Sequence, residues 1–334
     1  MEDKISEEKK EPEYHESITD PKEIKILEEF KHSIATITDK KDKAVLDPFV
    51  LLNNDFLIHF LRARKLNVKK ATRMLMDYYH WKAKINLDDV YKNFVLKEQY
   101  KLQLLFPHGF HYYSKEGNPI YFQVMGKLNV DELFKLFTPE DLIKYSTLIC
   151  ETMERDYFKL CSKVKNRYVH GVFNIIDFRG IKTTSLLNKK LLSYLKESFK
   201  INQDSYPESL AACYILNAGF AFRSFYSAVK IFLDGKTRGK IKVYGDNYQA
   251  GLLDRIDKDC LPSFWGGNCN CPGGCLFSNV GPWKKEDEKE NIPEEILKGR
   301  NEINEFMFSA KNKNNDNEEK IKNNGKEGLN PDNM

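Results

Sequence analysis

The sequence predicts an α/β protein, with a small all-helical N-terminal unit packed on a lobe built around a mainly parallel sheet. Three observations predict it. From residue 21 to about 98, apolar side chains recur at helical spacing behind capping residues. Beyond Pro107 the period changes, and GFHYYSKEGNPIYFQVMG reads as two strands about a Lys-Glu-Gly-Asn turn. The runs VFNIIDF, AACYILNA and KIKVY are continuously apolar or β-branched and separated by helical stretches, the pattern of parallel strands covered on their faces by helices.

The first helix starts at Asp20-Pro21 with Glu23 in a capping-box-like position, and Ile24, Leu27, Phe30 and Ile34 form its apolar stripe. A second runs through NDFLIHFLRARK. A third opens at Asn67 and carries Ala71, Met74, Leu75, Tyr78 and Trp81 on one face. In the lobe, Pro119 is acceptable at a strand start, and Thr138-Pro139 begins a helix expected to reach about Tyr157. Four segments result: a disordered acidic N-terminus (1–20), a helical unit (21–98), an α/β lobe (105–283) and a charged, Asn/Lys-rich, largely disordered tail (284–334). The sequence holds no internal repeat.

With 334 residues and 41% hydrophobic content, the chain can bury one large core or two coupled ones. The net charge of +4 is uneven: residues 1–20 carry −5 and residues 284–334 carry −3, which leaves +12 on residues 21–283. A basic folded part favours anionic membranes or polyanions as partners. No apolar run approaches the ~20 residues that cross a bilayer, and MEDKISEEKKEPEYHE is acidic and polar rather than signal-like. A cytoplasmic, peripherally membrane-associated chain is expected. The seven Cys are odd in number, and Cys260, Cys269, Cys271 and Cys275 share one short region, so reduced thiols are expected.

Common catalytic signatures fail one by one. DGKTRGK contains Gly-Lys-Thr, but the phosphate-loop spacing demands a glycine where Lys230 stands. Neither G-x-G-x-x-G after a strand nor G-x-S-x-G occurs. CSKVKNR matches C-x5-R but has no glycines to expose N–H groups to a phosphate. Cys269, Cys271 and Cys275 in C-x-C-P-G-G-C, with no nearby His, match structural zinc spacing poorly and read as small residues closing a tight turn. No catalytic residue, metal or cofactor is expected.

The segment from Tyr206 to Trp283 says most about function. Phe222, Phe225, Tyr226, Val229, Phe232 and Leu233 recur at helical spacing, while Arg223, Lys230, Lys236, Arg238, Lys240 and Lys242 cluster on and after that helix. An apolar face beside cations suits a ligand with apolar tails and an anionic head, which describes a phospholipid better than a nucleotide, sugar or peptide.

Through DFLIHFLRARKLNVKKA, GNPIYFQVMGKLN, IIDFRGI, YPESL, YILNAGFAFRSFYSAVKIFLD, KIKVYG, LPSFWGG and CPGGCLFSNVGPW, nearly all of residues 21–283 resemble the CRAL-TRIO lipid-binding domain in its phosphatidylinositol/phosphatidylcholine transfer branch. The resemblance implies a lobe enclosing an apolar lipid pocket under a gate helix, here Phe220 to Leu233. It also implies inositol-phosphate contacts from Arg64, Lys65, Glu208, Asp234, Thr237 and Lys240. The chemistry is suitable, since cations and a hydroxyl bind phosphate and carboxylates accept from inositol hydroxyls. The sequence departs from the branch at Val172, Asn174, Phe110 and Cys150, where hydroxyls are lost, and at Ser209, which replaces an Arg; choline-lipid binding is thereby put in doubt.

The function expected is extraction and exchange of phosphatidylinositol between membranes, with phosphatidylcholine or another hydrophobic lipid as a second ligand. The alternative is a phosphoinositide-sensing scaffold that presents lipid to a kinase. Nucleic acid is not an expected partner, the chain is expected to be a monomer, and the resemblance points to Golgi or endosomal membranes.

Overall fold

Four helices build the N-terminal unit: α1 (Pro21–Ala35), α2 (Lys40–Val45), α3 (Asn54–Ala63) and α4 (Val68–Ile85). Asp20 caps α1 by accepting from the Lys22 N–H at 2.8 Å, and Pro21 suits a first turn whose N–H groups have no intrahelical partner. Glu23 does not complete a capping box; its carboxylate accepts from Arg62 Nε and Nη2 at 2.9 and 2.8 Å, a bidentate pair joining α1 to α3. Leu27, Phe30 and Ile34 of α1 meet Leu57, Phe60 and Leu61 of α3 and Leu75 of α4 in one apolar cluster. Ile24, placed on the same stripe from the sequence, is instead 46% exposed at its edge.

The computed structural model describes residues 13–181, 183–284 and 292–318, with the side chains of 183, 184, 220, 221, 224 and 310–318 excluded. Most of the expected disordered N-terminus, residues 1–12, lies outside the described residues. Residues 13–20 run as irregular backbone tied to the fold: Tyr14 donates to Asn166 Oδ1 at 2.8 Å, and the Glu16 N–H donates to Asp55 at 3.0 Å.

Two short helices, α5 (Leu87–Asn93) and α6 (Gln99–Leu105), lead into the sheet. Its strands are β1 (His108–Tyr113), β2 (Pro119–Val124), β3 (Val172–Asp177), β4 (Leu210–Leu216) and β5 (Ile241–Val243). They lie in sequence order, with β1 antiparallel to β2 and the other pairs parallel. Because parallel crossovers are right-handed, strands that advance steadily in one direction place every crossover on the same face. These crossovers are α7 (Val130–Leu136), α8 (Pro139–Thr152) and α9 (Phe158–Lys165) before β3, α10 (Thr183–Leu186) and α11 (Lys189–Ser205) before β4, and α12 (Phe220–Val229) and α13 (Gly235–Gly239) before β5. The helix expected to stop near Tyr157 does not stop there: a π turn over Met153–Tyr157 joins α8 to α9.

The opposite face is covered by the chain beyond β5. There α14 (Gln249–Arg255), Phe264, Trp265 and Leu276 pack on Ile120, Phe122, Phe173, Ile175 and Tyr214. The last helix, α15 (Glu294–Glu318), lies within residues 284–334, which the sequence reading took as a largely disordered tail, and over its own span the chain is helical instead. Low-complexity composition hides an apolar stripe, for Ile296, Ile303 and Met307 fall on one helical face and are buried. Buried Asp177 anchors this face, accepting from Arg179 Nε at 2.7 Å, Trp265 Nε1 at 2.8 Å and Asn217 Nδ2 at 2.6 Å. Arg179 in turn donates to the Met307 carbonyl at 2.9 Å, so the β3 end holds α15 in place. Residues 285–291 and 319–334 of the expected tail lie outside the described residues.

Candidate functional site

The polar site residues gather where α11 ends. Arg64 and Lys65 leave α3 at its C-terminus; the Arg64 guanidinium pairs with Asp204 at 3.3 Å, and Lys65 is exposed. Glu208, in the turn after α11, accepts from Lys236 Nζ at 2.7 Å and lies 3.6 Å from Lys240 Nζ. Lys240 also donates to the Leu210 carbonyl at 2.6 Å. Asp234 caps α13, accepting from the Thr237 N–H at 2.9 Å and its hydroxyl at 2.7 Å. Burial pushes the Asp234 carboxyl up, but the Thr237 donors outweigh it and hold the group below the usual carboxylate range.

The backbone at this place is unusual. Lys65, Leu66 and Glu208 have φ of 51°, 60° and 64°. Left-handed backbone at non-glycine residues costs on the order of 1–3 kcal/mol each and persists where the surroundings impose it, often at ligand sites. The Glu208 turn is held from behind: Tyr206 donates to buried Glu151 at 2.8 Å, and Glu151 also accepts from Arg155 at 2.6 Å.

Sequence reasoning misses Gln203 and Asp204, and it counts Lys236 only among the surrounding cations. Asp204 links Arg64 to α11. Its neighbour Gln203 donates to the Phe232 carbonyl at 2.6 Å and accepts from the Asp234 N–H at 3.0 Å, as a neighbouring strand would. Gln203 therefore fastens the junction between the aromatic helix and the polar cluster. Nothing in the local sequence marks it, since a single Gln on an amphipathic helix is ordinary.

The gate segment is shorter as a helix than expected. α12 ends at Val229, Lys230–Phe232 is a 3-10 turn and Leu233 is extended. Phe222, Phe225, Tyr226 and Val229 are buried in the core cluster on the crossover face, and Phe232 and Leu233 are half-buried against it. The Phe222 ring stands edge-on to Phe178 at 5.0 Å between centroids and stacks on Tyr226 at 5.4 Å. The Phe220 side chain lies outside the described residues. α12 lays Phe222, Phe225, Tyr226 and Val229 over Cys213, Ile215, Ile241 and Val243 of the sheet. A recess of about 730 Å³ lies at the surface, lined by residues of α7 and the start of α11 including Val130, Phe134 and Lys189.

Between α8, α11 and the sheet lies a layer of half-buried side chains: Tyr145, Ile149, Cys150, Ile176, Leu192, Tyr194, Leu195 and Phe199. Desolvation pushes the Tyr145 and Tyr194 hydroxyls up to about 12 although each keeps accessible surface. Asn174 lies on this face between Tyr121 and Cys213, and its buried Oδ1 has no hydrogen-bond partner among the described residues. Val172 and Phe110 are buried together in an apolar cluster, and Cys150 Sγ donates to Asn202 Oδ1 at 3.3 Å.

The CRAL/TRIO domain family matches residues 106–267, and the family CRAL/TRIO, N-terminal domain, matches residues 26–77. The Sec14 cytosolic factor of Schizosaccharomyces pombe is 34% identical over 235 residues, which cover 70% of this chain and 82% of that one. Phosphatidylinositol/phosphatidylcholine transfer protein SFH9 of Arabidopsis thaliana is 33% identical over 272 residues, 80% of this chain but 45% of that one. The chain thus spans somewhat under half the length of that plant relative. A crystal structure of Sfh5 aligns with a TM-score of 0.57 at 18% identity, covering 69% of this chain and 82% of that one, a likeness of fold.

Proposed function

The chain belongs to the CRAL/TRIO family, and on that footing we propose that it is a non-catalytic carrier that withdraws phosphatidylinositol from one membrane and releases it at another. The observation that carries this reading is the Gln203 junction. One side chain joins the end of an apolar helix, at Phe232, to the polar cluster, at Asp234. A ligand with an anionic head at Glu208, Lys236, Lys240 and Arg64 and apolar tails beneath α12 would engage both sides of that junction at once.

The energetics explain why no covalent chemistry is needed. Moving a diacyl lipid through water exposes about thirty methylenes at roughly 0.8 kcal/mol each, a gross cost on the order of 24 kcal/mol. A protein interior that receives the tails directly removes most of that exposure. The head-group cations are now paired inside the protein, but Glu208–Lys236 and Arg64–Asp204 are partly exposed pairs worth about 1 kcal/mol or less. Exchanging them for a phosphate is therefore cheap.

Docking on an anionic leaflet belongs to the proposal, and Ile231, 75% exposed just after α12 and next to Lys230 in the chain, supports it. No described helix is long and apolar enough to cross a membrane, and a cytosolic, peripheral location is part of the proposal. Mass spectrometry of lipid co-purified with the chain tests it: phosphatidylinositol at a substantial fraction of one per chain supports the reading, and its absence alongside another lipid opposes it. A scaffold that presents lipid to a kinase would bind phosphatidylinositol equally but fail to move it between vesicles.

A further inference from the structure

The spacing Cys269, Cys271, Cys275 matches structural metal sites poorly because no histidine lies nearby in the chain. The fold supplies one from β1. One ring nitrogen of His111 and the three Sγ atoms all lie within 4.8 Å of one another. We propose that His111, Cys269, Cys271 and Cys275 bind a structural zinc ion that fastens β1 to the C-terminal loop.

The imidazole is set up as a ligand. His111 is 1% exposed, and its Nδ1 lies 3.1 Å from Ser278 Oγ. The single Ser278 hydroxyl proton is donated to the Cys275 carbonyl at 3.0 Å, so Ser278 Oγ accepts and His111 Nδ1 carries the hydrogen. Nε2 is then left with a bare lone pair, buried and without a hydrogen-bond partner among the described residues. An unpartnered buried acceptor is costly. Beside three sulfurs it has an evident use, and the Ser278 hydroxyl supplies the outer hydrogen bond that orients a metal-binding histidine.

The sulfur geometry agrees. Cys269 and Cys271 Sγ are 3.6 Å apart, whereas two thiolates each about 2.3 Å from a tetrahedral zinc are separated by roughly 3.8 Å. Gly273 and Gly274, with φ of 74° and 94°, turn the chain so that Cys275 comes back onto Cys271, and a Cβ at Gly274 would collide with Asn304 of α15. The Cys271 N–H points at Cys275 Sγ, 3.4 Å away, a donor that would help hold a thiolate. Without a cation, burial pushes the Cys275 thiol up to about 11. Binding would release three thiol protons to solvent and leave a centre of net charge −1, with all four positions filled by protein, the arrangement of structural rather than catalytic zinc.

The full chain, purified under reducing conditions without chelator, is assayed by inductively coupled plasma mass spectrometry and then reloaded with Co²⁺. The expected result is about one zinc per chain, and a cobalt form with the visible bands of a tetrahedral site and a sulfur-to-cobalt charge-transfer band. Cys271→Ser, a near-isosteric change at a half-buried position, should lower retained zinc to less than about a tenth with the fold intact by circular dichroism. His111→Asn should shift the cobalt spectrum even if some metal is kept. The proposal is overturned if the wild-type chain holds negligible zinc and gives no tetrahedral cobalt spectrum, if Cys271→Ser retains zinc at the wild-type level, or if mapping of the unreduced chain finds these cysteines in a disulfide.

Discussion

Lys240→Met separates a head-group role from a structural one. The substitution keeps most of the aliphatic stem and removes the charge. In the protein itself Lys240 makes one hydrogen bond to the Leu210 carbonyl and a longer contact with Glu208, 3.6 Å away with side-chain exposures of 24% and 17%. An ion pair of that kind contributes about 1 kcal/mol or less and the hydrogen bond about 1 kcal/mol more, so Tm should fall by no more than about 8 °C. A charge-assisted hydrogen bond to a phosphate is worth about 1.5–3 kcal/mol, which corresponds to roughly a 10- to 150-fold loss of phosphatidylinositol affinity. The assay is transfer of labelled phosphatidylinositol between donor and acceptor vesicles, run beside an uncharged lipid of matched chain length. Phosphatidylinositol transfer should collapse while the second lipid moves within about twofold of wild type. Equal loss for both lipids, or no loss for phosphatidylinositol at unchanged Tm, refutes the head-group assignment.

Other positions give independent tests. Ile231→Glu changes a residue 75% exposed, so stability should stay within about 0.5 kcal/mol while sedimentation with anionic vesicles drops about tenfold; unchanged binding would move the docking edge elsewhere. Asp177→Asn replaces one acceptor oxygen with a donor facing Arg179 or Trp265 and leaves the guanidinium without its buried counter-charge, at an expected cost of about 3–5 kcal/mol in chemical denaturation; a loss below about 1 kcal/mol contradicts that account. Glu154 is raised by desolvation from 4.5 to about 8. Its folded form holds a proton that the unfolded chain releases, so its contribution is complete below pH 4.5 and lost as pH climbs through 8. Glu154→Gln mimics the protonated carboxyl, and its stability relative to wild type should improve steadily across that window; a pH-independent difference defeats the assignment. Burial holds His108 near 4 and His170 well below 6.5, so both act in the opposite sense, weakening the fold as pH falls below 6.5.

The strands were legible because a sheet covered on both faces demands continuous apolar runs, and VFNIID and LAACYIL are such runs. The caps at Asp20, Asn67 and Thr138 were legible for a local reason, as each side chain accepts from an N–H within its own first turn. What escaped depends on distance along the chain. Gln203 matters only because α11 ends beside the Phe232–Asp234 junction, and His111 meets the cysteines only because β1 and the C-terminal loop share an end of the sheet. α15 escaped for another reason: Asn and Glu dominate its composition, and three apolar residues at the right spacing outweigh them once a hydrophobic face is there to receive them.

The seating of α15 bears on how the protein is to be dissected. Ile303 and Met307 close the rear of the sheet, and the Arg179 guanidinium spends one of its donors on a carbonyl of that helix. A version trimmed after Trp283 would uncover Phe264, which packs on Phe308, and strip the Arg179 guanidinium of one buried acceptor while Asp177 stays paired with it. Poor solubility of so short a form would then report a missing back wall rather than any defect in lipid handling.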